Sequence, residues 1–231
     1  MKRFILPIIS LAAAAKIFAG DITGTVRAEP KAGTEQSPAA STAAYASRKL
    51  KFAEKVDYSS MRDFVVFLEG KVGTNAPPTN VVEVTTTRVT QKGAVFTPHV
   101  LPVVAGTTVE WPNHDDIFHN VFSDSDAKPF DLGLYKGNPP EKRVKFDKPG
   151  KVDVYCSIHA NMHCIVLVVE NPYFAVTDAD GNYSITNVPP GTYKLKAWHE
   201  RMPADEQEIV VPTNGAVRAD FVLSIKNLPK Y

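Results

Sequence analysis

The chain has 231 residues, with 26 basic and 25 acidic side chains, which is enough for one large or two small domains. This near-neutral balance offers no broad basic surface and excludes nucleic acid as a partner. Gly, Pro, Val and Thr are frequent and long helical periodicity is absent, so the composition predicts an all-β protein.

At the start, Lys2 and Arg3 precede an apolar run from Phe4 to Ala15, and small residues follow to Ala19 and Gly20. The run is too short and wrongly flanked for a membrane span. Residues 1–19 are therefore expected to be a cleaved signal peptide that exports the protein to the periplasm, leaving no membrane span. Cleavage removes Lys2, Arg3 and Lys16 and leaves a formal charge of −2.

Residues 20–80 form a first region. In DITGTVRA (21–28), Ile22, Gly24 and Val26 alternate with polar neighbours and predict a strand. A polar excursion over 29–61 follows, with a short helix expected near 41–52, then a strand at DFVVFLE (63–69) and a linker over 70–80. Residues 81–170 carry closely spaced strands: VVEVTTTRVT, AVFTPHVLPVVAG, TTVEWPN, RVKFD, KVDVYC and HCIVLVVE. The stretch HDDIFHNVFSDSDAKPFDLG reads as a loop among them. Residues 171–231 are a further β-unit, in which FAVTD and NYSIT flank Asp180-Gly181 and predict a hairpin. Short strands with Pro, Gly and Asn-Asp turns indicate a sandwich or barrel.

The chemistry centres on Cys156. In KVDVYC the two-residue period puts Val152, Val154 and Cys156 on one face, so the cysteine ends a strand pointing into the core. His159 follows three residues later and Met162 three after that, on a loop before the next strand. Thiolate, imidazole and thioether together suit copper cycling between two oxidation states, and His119 in FHNVF offers the second imidazole. The chain has only two cysteines, and a Cys156–Cys164 disulfide is the competing reading; Cys164 also points inward by alternation and could ligate or fill core volume. His114, Asp115 and Asp116 read as a solvated turn rather than a second metal site, and Asp178-Asp180-Gly181 as a turn rather than a calcium loop. His163 faces away from Met162, His99 reads as structural or surface, and Trp198-His199-Glu200 reads as an aromatic strand end, with a docking or secondary copper role as the lesser alternative.

AVFTPHVLPVVAGTTVEWPN, FHNVF and YCSIHANM resemble the strands and ligand segments of cupredoxins, especially the plastocyanin and amicyanin group. The resemblance covers residues 82–169. It implies a Greek-key sandwich with a single type 1 (blue) copper used for one-electron transfer, held by His119, Cys156, His159 and Met162. It further implies that Asn120 stiffens the site and that His159 lies near the surface. Where this family has a small residue two positions after the methionine, the chain has Cys164. The outer segments, DITGTV, DFVVFLEG and YFAVTDADGNYSITNVPPGTYKLKAWHE, resemble the carboxypeptidase regulatory-like, or transthyretin-like, sandwich. The cupredoxin part is thus expected to be inserted into a discontinuous second sandwich, as in bacterial proteins labelled as methylamine utilisation or plastocyanin-like proteins.

The last strand of the 81–170 region is apolar on both faces, with Cys164, Val166 and Val168 on one and Ile165, Leu167 and Val169 on the other, which predicts cover on both sides. No G-x-S-x-G, phosphate-binding Gly-rich loop or H-E-x-x-H is present, and four protein ligands leave no open metal position, so no enzymatic activity is expected. The leading expectation is an electron carrier with a redox protein partner. A copper-delivery protein, or an adhesion or carbohydrate-binding module with a structural cupredoxin, are the alternatives.

Overall fold

The computed structural model describes residues 19–30, 57–72, 88–137 and 142–224. Nearly all of the expected signal peptide, the helix near 41–52, and most of both the 70–80 linker and the 81–90 strand lie outside these described residues. The chain runs through β1 (Gly20–Glu29), a 3-10 turn at Tyr58–Ser60 and β2 (Val65–Leu68). Next come β3 (Thr90–Gln91), β4 (Phe96–Thr97), β5 (Val100–Val104), β6 (Thr107–Glu110), β7 (His119–Ser123), β8 (Phe130–Tyr135) and β9 (Arg143–Phe146). They are followed by β10 (Gly150–Tyr155), β11 (His163–Val169), β12 (Phe174–Val176) and β13 (Asn182–Val188). The last four are β14 (Gly191–His199), β15 (Met202–Val211), β16 (Ala216–Arg218) and β17 (Phe221–Ser224). The fold is all-β, as the composition predicts.

Two sandwiches result. In one, β1 pairs with β13, β16 and β17, and this sheet faces the sheet β12-β2-β14-β15. Ile22, Val26, Phe64, Val66, Leu68, Ile185, Leu195 and Phe221 share its core, so segments on both sides of residues 88–170 build one unit. Two glycines allow the close approach of its strands. A Cβ on Gly24 would collide with the Ala219 carbonyl oxygen, and one on Gly181 would collide with that of Val26.

The turn predicted at Asp180-Gly181 is present, with the Gly181 N–H donating to the Asp178 carbonyl at 3.1 Å, but the predicted hairpin is not. β12 pairs with β2 and β13 with β1, in opposite sheets. Gly181 (φ +80°) accepts from the Val26 N–H at 2.8 Å, which anchors the turn on β1 and carries the chain across the sandwich.

The other sandwich contains the sheet β5-β11-β10-β7-β8 and the pairs β6-β9 and β3-β4. Trp111, Phe96, Phe146, Val121, Val152, Val154, Cys164 and Val166 lie in its core. The stretch 114–133 is not a plain loop. It holds β7 and the start of β8, paired antiparallel with His119 opposite Tyr135 and Ser123 opposite Phe130. Its Asp, Ser and Pro residues hide this hairpin from a hydrophobic pattern, because β8 is largely exposed.

β11 is covered on both sides. Cys164, Val166 and Val168 join the core of this second sandwich, while Ile165, Leu167 and Val169 pack with Val65, Val100 and Phe174, flanked by Phe67 and Trp198. Burying each such aliphatic or Phe side chain contributes about 1.5–3 kcal/mol, so the sandwiches meet across an apolar seam.

Candidate metal centre

β10 alternates outward Lys151 and Tyr155 with inward Val152 and Val154, and the same alternation turns Cys156 inward, where it is 6% exposed. A tight loop then reverses the chain. The Cys156 N–H donates to the Met162 carbonyl at 3.2 Å, and the Met162 N–H to the His159 carbonyl at 3.0 Å. His159 is half-buried on this loop, and Met162 is buried in the same core as Cys156. His119, the first residue of β7, is fully buried.

One ligand atom each from His119, Cys156 and His159 lies within 4.8 Å of the others. Nδ1 of His119 is 3.0 Å from Nδ1 of His159, which is 3.6 Å from Sγ of Cys156. Nitrogen and sulfur ligands about 2.0–2.3 Å from one first-row ion stand about 3.3–3.8 Å apart, close to this spacing. Met162, at the end of the same loop, is buried in the adjoining core.

The donor set fits a metal in a second respect. Asp115 Oδ2 lies 2.8 Å from Nε2 of His119. A carboxylate there holds the Nε2 proton and turns the Nδ1 lone pair toward Cys156 and His159. Asp115 is itself held: it accepts from the N–H groups of Gly93 at 2.7 Å and Ala94 at 2.9 Å. The Ala94 N–H, then His119, then the Gly93 N–H keep its carboxyl down at about 2. Asn113 shapes the loop, accepting from the Asp115 N–H at 2.9 Å and donating to the Ile117 carbonyl at 2.9 Å.

The Asn113–Asp116 segment is therefore a turn, but Asp115 is not merely solvated. Sequence reasoning missed its contact with His119; the available signal was an acid four positions before a candidate ligand.

Asn120 ties the two halves of the cluster together. Its N–H points to Cys156 Sγ at 3.4 Å, its Oδ1 accepts from the Ser157 N–H at 3.3 Å, and its Nδ2 donates to Asp131 at 2.7 Å. Cys164, opposite Val154 in the β10-β11 ladder, is fully buried, and both cysteines are free thiols. Cys164 packs in the core with Val154 and Val166, and burial raises its thiol pKa. Around the cluster, Ile117, Phe118, Leu134 and Ile158 are exposed.

The remaining residues singled out in the sequence lie elsewhere. Asp116 pairs with Lys136 on the surface. His199 is buried against Phe64, where burial lowers its pKa, and Trp198 joins the apolar seam. His99, His163 and Glu200 converge at a separate place.

A sandwich with an inward cysteine, two convergent histidines and a buried methionine at one end is the arrangement that the cupredoxin resemblance implies for this part of the chain. Residues 82–169 match the model of copper binding proteins, plastocyanin/azurin family, and residues 165–224 match the carboxypeptidase regulatory-like domain. Two neighbouring segments of the chain thus match different families, and the two matches overlap along β11.

Among solved structures, a purple cupredoxin from Nitrosopumilus maritimus is 26% identical over 35% of this chain and 97% of its own, with a TM-score of 0.30. A copper-containing nitrite reductase from Thermus scotoductus is 29% identical over 45% of this chain but only 25% of its own, with a TM-score of 0.35. A reduced Cu(I) form of an amicyanin variant is 23% identical over 40% of this chain and 91% of its own, with a TM-score of 0.32. No curated protein gives a significant match to the chain.

Proposed function

We propose that this protein is an exported, periplasmic one-electron carrier that holds a single type 1 copper through His119, Cys156, His159 and Met162. The observation that carries this reading is the convergence of His119, Cys156 and His159, with the proton of the buried histidine held outward by Asp115. Copper, when bound, supplies a one-electron couple.

The chain's own residues account for the rest. Asp115 and Asn120 hold the donors in place from outside the set, so a change of charge finds the same positions. The buried side chains of Val121, Val154 and Val166 exclude water from the inner side. His159 is the half-buried donor, and the exposed Ile117, Phe118, Leu134 and Ile158 give an apolar surface for brief contact with a redox protein. In this reading the chain has no enzymatic role, and the regulatory-like sandwich flanks the copper-binding part as a discontinuous domain formed by residues 20–80 and 171–231.

An absorption spectrum of the copper-loaded, oxidised protein tests the proposal. The expected result is an intense visible thiolate-to-copper band that is lost in Cys156→Ser. A colourless protein that binds copper equally well with and without Cys156 sinks it. A copper-delivery role predicts in addition rapid loss of metal to a soluble chelator, whereas a carrier retains copper through repeated redox cycles.

A further inference from the structure

A second group of potential ligands lies on the other side of β11. Met162 and His163 are consecutive; the methionine enters the core beside the first cluster, and the histidine faces out toward the seam between the sandwiches. There, one ligand atom each of His99, His163 and Glu200 lies within 4.8 Å of the others. His99 sits between β4 and β5, His163 opens β11, and Glu200 lies in the turn joining β14 to β15. Two of the three thus belong to the copper-binding segment, and the third belongs to the regulatory-like one.

The hydrogen bonding of His99 is unbalanced. Its Nδ1 is 3.3 Å from the His163 carbonyl oxygen, and its Nε2 is 2.9 Å from Glu200 Oε1. Both partners are acceptors, yet a neutral imidazole carries one N–H and satisfies only one of them. Either a second ring proton, giving an ion pair with Glu200, or a cation shared by Nε2 and the carboxylate, with the carbonyl holding the Nδ1 proton, resolves the conflict. His163 has a single ring partner: Asp153 Oδ1 lies 3.2 Å from its Nε2, and Tyr155 stacks on the ring at 4.8 Å between centroids. His99 is therefore oriented by a backbone carbonyl and His163 by the carboxylate of Asp153, the kind of arrangement that positions histidine ligands in metal sites. Asp153 is further held by Lys151 at 2.8 Å.

We propose that His99, His163 and Glu200 form a second metal site, for a borderline divalent cation of the zinc type, that clips the regulatory-like sandwich to the copper-binding one. Two imidazoles and one carboxylate make a set that binds zinc with a fourth position open to solvent. His99 and Glu200 are partly exposed, which gives the ion a path in. The site does not depend on the blue-copper reading, because it shares no residue with the first cluster.

Zinc binding to the full chain, followed by equilibrium dialysis, tests this. The unmodified protein and a Cys156→Ala variant, in which the first cluster is impaired, are both expected to hold a zinc ion that is lost from His99→Ala and Glu200→Gln. These two variants should bind this ion at least about 10-fold more weakly, while keeping the copper-dependent absorption of the unmodified chain. Glu200→Gln preserves size and shape, so it reports on ligation even where His99→Ala disturbs folding, and circular dichroism checks both. The proposal is overturned if Cys156→Ala binds no zinc, or if its zinc affinity is unchanged when Glu200→Gln is added. In those outcomes the cluster is an ion pair across the seam. Failure of the first-site reading shows separately, as a copper spectrum indifferent to Cys156.

Discussion

The two histidine clusters lie on opposite faces of one sheet and differ in what surrounds them. His119 is fully buried, and its outer nitrogen meets an acid that is itself fixed by two backbone N–H groups. His99 keeps 39% of its side-chain surface exposed, and its acid is on a turn contributed by the other sandwich. The first set is closed within a single core, so its geometry is maintained by the folding of that core. The second set exists only when two units dock. A closed set suits donors that must stay in place through a change of charge, whereas a straddling set can report on or reinforce docking.

Loss of docking is the most severe effect expected from a single substitution. Ile165→Ala deletes a buried side chain from the seam without touching either ligand set. Loss of such a side chain costs about 2–5 kcal/mol. Denaturant unfolding is expected to show that loss and to separate the sandwiches into two transitions. The copper spectrum should persist, because its donors lie in one unit; a single unshifted transition contradicts a stabilising seam.

The orienting acids come next. Asp115→Asn is expected to weaken copper binding by about 10–100-fold, the usual range for an outer partner of a histidine ligand. Competition with a chelator measures it. Asp153→Asn should leave copper affinity unchanged and weaken zinc alone, which makes the pair a direct comparison of the two faces. If both substitutions affect copper alike, the two clusters are not independent.

The smallest effect is expected far from both clusters. Arg218 beside Asp220, helped by the Thr25 N–H, holds the Asp220 carboxyl below its ordinary value. The unfolded chain therefore takes up this proton first as pH falls. The contribution is present above the ordinary carboxylate value and disappears as pH drops through the folded one. Because the pair is exposed, acid titration of stability should differ between the native chain and Asp220→Asn only slightly, and copper absorption at neutral pH should not differ.

Much of this was legible from residue order. Strand alternation placed Val152, Val154 and Cys156 on one inner face, and both faces of β11 were recognisable as apolar. Cys156, His159 and Met162 fall within seven residues, so one loop must bring them together whatever the rest of the chain does. The resemblance of FHNVF to a cupredoxin ligand segment pointed to His119 as their companion.

Other features were decided only in three dimensions. His119 belongs to a strand because β8 pairs with it, although β8 is too exposed to show a hydrophobic period. Asp178-Gly181 turns the chain, but only the anchoring of Gly181 on Val26 decides that the next strand enters the opposite sheet. His99 meets the His163 carbonyl across 64 residues and Glu200 across 101, partners that no local pattern connects. The local geometry of a strand or a tight loop is a property of a few neighbouring residues and their side-chain period. The meeting of distant side chains depends on how whole sheets pack, and here that packing is set by the apolar seam between the two sandwiches.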